Sequence, residues 1–405
     1  MPATGSLSPA LVWLLALACG LCVANVYYAQ PLLDAMARDL GISRAAIGAV
    51  IGVTQAGSAL ALLALVPLGD LLERRRLMEA QLVLLVGSLL LVAAARQPAL
   101  ILLGMFGLGL LGTAMTQGLL AFAASLAGDA RRGQVLGVVQ GGVVVGLLLA
   151  RSLSGAMAEL GGWRAVYLLS ALLMAMLLVV LWRRLPTQRN ASRLGYLALL
   201  RSMLHLLRED RVLQVRGLLA LLLFMVFNLF WAALVMPLSA PPLSLGPGAI
   251  GAFGLMGAAG ALAAARAGHW ADRGQAQRAS GLALGVLALA WVPLAFTGQS
   301  LWALLLGIFL LDAAGQALHV LNQSLVLGSG SSAHARLIGL YMLFYAVGSA
   351  LGGFIATHLY ALAGWAGVCL CGGALSLAAL GLWWVTLPGR PGIRRHVLGR
   401  QSGIR

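Results

Sequence analysis

Long uninterrupted apolar runs, separated by short polar breaks, dominate this chain. Twelve stand near residues 9–32, 45–69, 77–95, 98–127, 134–158, 163–182, 216–238, 249–270, 280–297, 301–326, 336–360 and 365–387. A helix needs about 20 apolar residues to cross roughly 30 Å of hydrocarbon, and each run is of that order. Strands of a membrane barrel alternate apolar and polar positions; these runs do not. The pattern predicts an all-α membrane protein with twelve transmembrane helices, numbered below as spans one to twelve.

The runs fall into two sets of six that repeat at one offset. Asp70 in VPLGDLLERRR has its counterpart in Asp272 of GHWADRGQAQR. Gly137 and Gly146 recur as Gly339 and Gly348, and Gly162-Trp163 recurs as Gly364-Trp365, all 202 residues apart in a chain of 405. A constant offset marks an internal duplication, so two pseudo-symmetric six-helix bundles are expected. The expected organisation is an N-terminal bundle at 1–183, a cytoplasmic linker at 184–215, a C-terminal bundle at 216–388 and a basic cytoplasmic tail at 389–405. A doubled membrane bundle is the body plan of a secondary transporter.

Composition sharpens the class. Hydrophobic residues make up 61% of the chain and charged residues 9%, more apolar surface than a soluble core could hide, so the solvent is lipid. The net charge is +16 and all 27 basic residues are arginine. On a soluble chain such a charge would point to nucleic acid; here the arginines follow the loops. With the N-terminus inside, Arg74, Arg75, Arg76, Arg131, Arg132, the Arg183–Arg216 linker, Arg273, Arg278, Arg336 and the tail fall on the cytoplasmic side. Arg38, Arg44, Arg96 and Arg164 fall outside. That bias follows the positive-inside rule and predicts both termini in the cytoplasm. Without lysine there is no P-loop and no Schiff base, so an ion gradient is the expected energy source. No enzymatic activity, cofactor or metal is expected. Cys19, Cys22, Cys369 and Cys371 all lie in apolar spans and read as packing residues.

Within the linker, LGYLALLRSMLHLLRED sets Arg201, His205 and Arg208 on one face among leucines. It reads either as an amphipathic helix along the membrane surface or as a plain tether. Glycines inside spans allow close backbone approach in lipid. Gly141, Gly142 and Gly146 in span five match Gly348, Gly352 and Gly353 in span eleven as candidate packing seams.

The segment Val66 to Arg76 resembles the cytoplasmic loop signature of the major facilitator superfamily, G-x-x-x-D-[RK]-x-G-[RK]-[RK], with Asp70, Arg74 and Arg75 on its charged positions. Val66, Leu71 and Glu73 depart from it. The second copy, Gly268 to Arg273, matches the first part and lacks the twin basic residues. Carboxylates and guanidinium groups so placed form either a latch that biases which side is open or a topology anchor; the candidate latch is Asp70, Arg74, Arg75, Asp272 and Arg273. Span five is similar to the motif of facilitator antiporters, G-x8-G-x3-G-P-x2-G-G, with Arg151 where that motif has proline. The family's span-four arginine has no equivalent between Pro98 and Gly128. ANVYYAQPLL, LARSLSG and LLDAAGQALHVLNQ resemble bacterial drug:proton antiporter-like members. The resemblance implies a rocker-switch carrier of the major facilitator fold, with a substrate cavity lined mainly by spans 1, 4, 7 and 10.

Charges inside apolar runs are the remaining signal. Asp312 in span ten and Arg151 in span five are the acid and base deepest in a span, each costing on the order of 3 kcal/mol to place at mid-membrane. Gln316, His319 and Gln323 follow Asp312 on one helix face, flanked by Asn322. That stripe reads as the wall of an aqueous cavity or as a hydrogen-bonded seam. Desolvation disfavours an ionised carboxyl, which suits Asp312 to proton coupling, with His319 as a possible second carrier. Arg151 is open to pairing with Asp312, with another polar group, or with an anionic substrate. Further candidate cavity residues are Asn25, Tyr27, Tyr28 and Gln30 in span one, Thr113, Thr116 and Gln117 in span four, Asn228 and Trp231 in span seven, and Tyr341 and Tyr345 in span eleven.

The mostly neutral lining predicts proton-coupled efflux of small amphipathic or hydrophobic compounds by alternating access. Two alternatives stand: transport of a polar metabolite such as a sugar, nucleoside or amino acid derivative, and a non-transporting membrane sensor or scaffold. The expected partners are a small-molecule substrate, protons and the lipid bilayer, with no nucleic acid, and the chain is expected to act as a monomer.

Overall fold

The computed structural model describes residues 8–43, 46–126, 132–186, 195–241, 243–256, 267, 270, 273–328 and 334–387. The expected tail at 389–405 lies outside them. Nine helices among the described residues are long and apolar enough to cross a membrane. Two of these are pairs of predicted spans joined through one glycine. Spans five and six form the segment Arg132–Arg184, broken at Gly162 (φ 75°, ψ 168°). Spans eleven and twelve form His334–Val385, broken at Gly364 (φ 61°, ψ −165°). Both conformations belong to glycine, and the two sites are the ones the repeat predicts. The described residues thus hold eleven of the twelve predicted spans. The short apolar helix Pro247–Met256 stands where span eight begins, and residues 257–266 lie outside those described.

Local chemistry explains the ends. Span one, Pro9–Tyr27, is capped by the Ser8 hydroxyl, which accepts from the Leu11 N–H at 3.3 Å, and Pro9 sits in the first turn, where its missing N–H costs nothing. The chain does not leave the helical path at residue 32 as the apolar pattern suggests. A 3₁₀ turn at Gln30–Leu32 leads into a second helix, Leu33–Leu40, closed by Gly41 at φ 64°. Span two begins as Ala49–Leu60 and widens into a π-helical turn at Ala61–Leu65 just before Pro67, where the proline cannot continue the ladder.

The seams within each lobe are glycine-made and repeat-related. In the N-terminal lobe, Gly142 and Gly146 of span five lie against the backbone of Ala16 and Gly20 in span one. In the C-terminal lobe, Gly348 and Gly352 of span eleven lie against the backbone of Leu221 and Met225 in span seven, the helix Arg211–Ser239. Gly141 has open space at its side-chain position, and Gly353 serves a different contact, meeting Ile51 and Gly52 of span two across the lobe interface.

Three described hydrogen bonds join the lobes at the end away from the linker. The Gly48 N–H donates to Thr357 (3.1 Å), the Ser152 hydroxyl to the Gly251 carbonyl (3.0 Å), and the Gly248 N–H to Glu159 (3.0 Å). At the linker end, the helix Tyr196–Glu209 bridges the lobes instead. Tyr196 donates to the Ala64 carbonyl of span two (3.1 Å), and Arg336 of span eleven donates to Ser202 (2.7 Å). Leu199 and Met203 are its buried face, and Arg201, His205 and Arg208 are exposed beside Leu197 and Leu204.

Gly146→Ala is expected to lower stability by about 1–3 kcal/mol, because the methyl meets the Gly20 backbone with no room to relax. Gly141→Ala, in open space, is expected to be neutral or stabilising by up to about 1 kcal/mol. Thermal unfolding of the two variants in detergent, side by side, checks the contrast.

Candidate functional site

Span one supplies the first groups at the lobe interface. Tyr27 ends the helix Pro9–Tyr27 and Gln30 opens the 3₁₀ turn Gln30–Leu32; three residues apart on a helical path they share a face, and it looks toward the other lobe. Tyr27 shares a short hydrogen bond with Tyr345 of span eleven. Gln30 donates to the Asn228 carbonyl oxygen in span seven at 3.4 Å, and its own amide oxygen accepts from Arg151 Nε. Asn25 and Tyr28 turn the other way, into the N-terminal lobe. Asn25 is fully buried and accepts from Ser170 of span six at 2.6 Å, and Tyr28 is buried beside it.

Arg151 is the centre of this cluster. It is 7% exposed. Its guanidinium lies 4.1 Å from the centre of the Trp231 ring and 5.8 Å from that of Tyr27. No ion pair within 4 Å forms around it among the described residues. Its charge rests on one amide oxygen and two aromatic faces, an arrangement that compensates a desolvated guanidinium. Gly254 of the segment Pro247–Met256 packs on its side chain, where a methyl would crowd the arginine.

Asp312 lies in the helix Leu301–Leu327 of the opposite lobe and is 3% exposed. Among the described residues its Oδ2 atom has no hydrogen-bond partner of ordinary geometry, and Trp231, whose Nε1 is likewise unmatched, stands beside it. Trp231 and Arg151 are its electrostatic neighbours, so the carboxyl and the guanidinium share Trp231 without touching. A buried polar atom without a protein partner is uncommon.

The stripe behind Asp312 divides in two. His319 Nδ1 meets the Tyr341 hydroxyl at 2.9 Å and its Nε2 meets Gln323 at 3.3 Å, while Phe224 packs edge-on against the ring at 5.1 Å. His319, Gln316 and Gln323 are half-buried. Asn322 is fully buried and belongs to another set: its Oδ1 accepts from Arg216 at 3.2 Å. Arg216 also donates to Ser280 (3.2 Å) and to Gln277. Sequence reading assigned Arg216 to the linker, yet it is 5% exposed inside span seven. Its described partners lie on spans nine and ten and are all neutral. The pattern Gln277–Ser280 at i, i+3 was the one available hint of a polar face awaiting it.

The remaining candidates are scattered. Thr113 donates to Ser58 at 2.8 Å and Thr116 to the Gly112 carbonyl at 2.8 Å, both inside the N-terminal lobe. Gln117 lines a cavity at the linker end. Of the candidate latch, Arg74 donates to the carbonyls of Gly69 (3.1 Å) and Ala121 (3.0 Å). Arg75 pairs with Glu79 (2.8 Å) and donates to the carbonyls of Leu185 and Trp182. Both arginines therefore bind carbonyls in or near the last turns of spans four and six, where a helix leaves acceptors unmet. Asp70 ends the 3₁₀ turn Pro67–Asp70, and its side chain is outside what is described. Asp272 lies outside the described residues, and Arg273 is exposed. One buried acid escaped the apolar-run reading: Asp34, on the helix after span one, pairs with Arg38 at 2.6 Å.

A helical bundle of two lobes with charged groups at their interface has close counterparts among known proteins. The profile of the Major Facilitator Superfamily matches residues 13–329. A putative uncharacterized transporter of Escherichia coli K12, YgaY, is 41% identical over 378 residues, covering 93% of this chain and 96% of that protein. A probable transporter of Streptomyces coelicolor, SCO4007, is 33% identical over 380 residues, covering 93% and 87%. Among solved structures, a bacterial homologue of the human lysosomal transporter Spinster, inward-facing and unoccupied, superposes with a TM-score of 0.78 at 13% identity, covering 94% of this chain and 97% of that one. The lobes, the repeat and these matches agree: the chain belongs to the Major Facilitator Superfamily and is a multi-pass membrane transporter with the major facilitator fold.

Proposed function

We propose that this transporter is a proton-coupled exporter of small amphipathic or hydrophobic compounds in the bacterial inner membrane, with both termini cytoplasmic and Asp312 as the coupling acid. The observation that carries the reading is the carboxylate oxygen of Asp312 that is buried at the lobe interface and has no hydrogen-bond partner among the described residues. A carboxylate in that setting is costly when charged and alone. It escapes the cost in two ways, by taking a proton or by drawing in a guanidinium. Arg151 is the guanidinium at hand, and it belongs to the other lobe.

This placement links proton and movement. With the far end closed, Arg151 and Trp231 stand beside Asp312. Opening that end carries Arg151 away with the N-terminal lobe, and a proton from outside takes over the neutralisation. Closing returns Arg151 and releases the proton toward the linker end, past Gln316, His319 and Gln323. The ligand has aromatic and amide groups to meet there (Tyr27, Tyr345, Trp231, Asn228), which suits a compound with an apolar body and few hydrogen-bonding groups. The resemblance to drug:proton antiporter-like members points the same way.

Purified protein in proteoliposomes with an imposed pH gradient tests the assignment. Asp312→Asn is expected to cut gradient-driven flux of amphipathic dyes at least tenfold while leaving the protein folded. Undiminished flux in that variant overturns it, and flux of sugars or nucleosides in place of dyes overturns the substrate class. Arg151→Gln is expected to slow turnover at least tenfold, and Arg151→Lys, which keeps the charge, to retain more activity than Arg151→Gln under the same assay.

A further inference from the structure

The linker end holds a feature that the coupling scheme does not use. A cavity of about 110 Å³, open on one side, lies between spans two, three and four, the linker helix and the start of span eleven. Leu62, Leu65, Leu77, Met78, Leu199 and Met203 make much of its wall. Arg74 from one lobe and Arg336 from the other also line it, together with the amides of Gln81 and Gln117. None of the described lining residues is acidic. Arg74 is held by the carbonyls of Gly69 and Ala121. Arg336 is half-buried, and its described bond is a single one, to the neutral Ser202 hydroxyl. Its guanidinium therefore keeps donors in hand at the edge of an apolar slot.

We propose that this cavity is a binding site for an amphipathic anion, with the head group on Arg336 and the chain laid along the leucine and methionine wall beneath the linker helix. A carboxylate or phosphate head forms a charge-assisted, two-point bond with a guanidinium, whereas a cationic head meets Arg74 and Arg336 as like charges. The site touches both lobes and the linker at once, so its occupant contacts every part that must move when this end opens or closes. The proposal goes beyond the coupling scheme and does not depend on Asp312.

The test uses the full-length protein in phosphatidylcholine nanodiscs, with empty discs as the blank and a fluorescent fatty acid as the probe. Dodecanoate is expected to displace the probe at a concentration at least tenfold lower than dodecyltrimethylammonium, which has the same chain and the opposite charge. Arg336→Gln is expected to bring the two within threefold. Met203→Trp, which fills the cavity, is expected to lower probe binding at least tenfold, and Leu65→Trp does the same from the opposite wall if the first variant does not fold. Equal displacement by anion and cation, or an unchanged preference in Arg336→Gln, overturns the proposal, as does full binding in a folded tryptophan variant. Discs containing phosphatidylglycerol separate two sources of the same chemistry: loss of dodecanoate displacement identifies a phospholipid as the occupant, and unchanged displacement identifies a free amphiphile. Binding is read without flux, so its failure is distinct from a failure of proton coupling.

Discussion

A bare charge cannot be left in hydrocarbon, and the lobe interface is arranged around that constraint. Placing an arginine at mid-membrane costs on the order of 3 kcal/mol on insertion scales. A desolvated cation over an aromatic face returns about 2 kcal/mol, and a hydrogen bond from a charged donor returns roughly 1.5–3 kcal/mol. Arg151 has both, from Trp231 and from Gln30, so its cost is met without a carboxylate partner. Gln30 comes from its own lobe and Trp231 from the other. Solvating this one side chain therefore also holds the lobes together, and Asn228 and Tyr345 join the same contact through Gln30 and Tyr27.

The duplication shows which features are scaffold and which are chemistry. Gly146 and Gly348 perform the same packing in the two lobes, and Gly162 and Gly364 break the chain in the same unusual conformation. The two charges at the lobe interface do not repeat. The position equivalent to Arg151 is Gly353, and the position equivalent to Asp312 is Leu110. Each lobe thus carries one member of a charged set whose parts meet only when the lobes do. Two copies of the pair would make the lobes interchangeable. A single copy gives the interface a polarity, with a cation fixed to one body and an acid to the other.

Much of the scaffold was readable before any coordinates, because lipid imposes length and composition on every span. The glycine breaks were readable for a similar reason: a position that admits only glycine must keep it. The interface was less so. A polar residue in a membrane helix signals that it avoids lipid, but not which neighbour it turns to. Asn25 and Gln30 look alike in sequence, yet five residues apart on a helical path they face opposite ways, one into its own lobe and the other across. Arg216 looks like the end of a basic linker because its neutral acceptors, Gln277, Ser280 and Asn322, lie 61 to 106 residues away in the chain. Trp231, the neighbour shared by both central charges, gave only an aromatic in a span, which is ordinary.

The far-end closure and the charged centre are one structure rather than two coupled ones. Span five contributes to both through a stretch of nine residues, from Arg151 to Glu159. The backbone carbonyl of Arg151 lies against Gly251, its side chain lies under Gly254, Ser152 binds the Gly251 carbonyl, and Glu159 receives the Gly248 N–H. Every one of these contacts is to the short helix Pro247–Ala252 and its extension to Met256. The absence of side chains at Gly248, Gly251 and Gly254 is what lets span five approach closely enough for the guanidinium to reach Trp231. Parting the two segments must at the same step withdraw Arg151 from Trp231, so in the proposed cycle the neutralisation of Asp312 needs no relay from a distant gate: the segment that shuts the far end is the one that carries the charge.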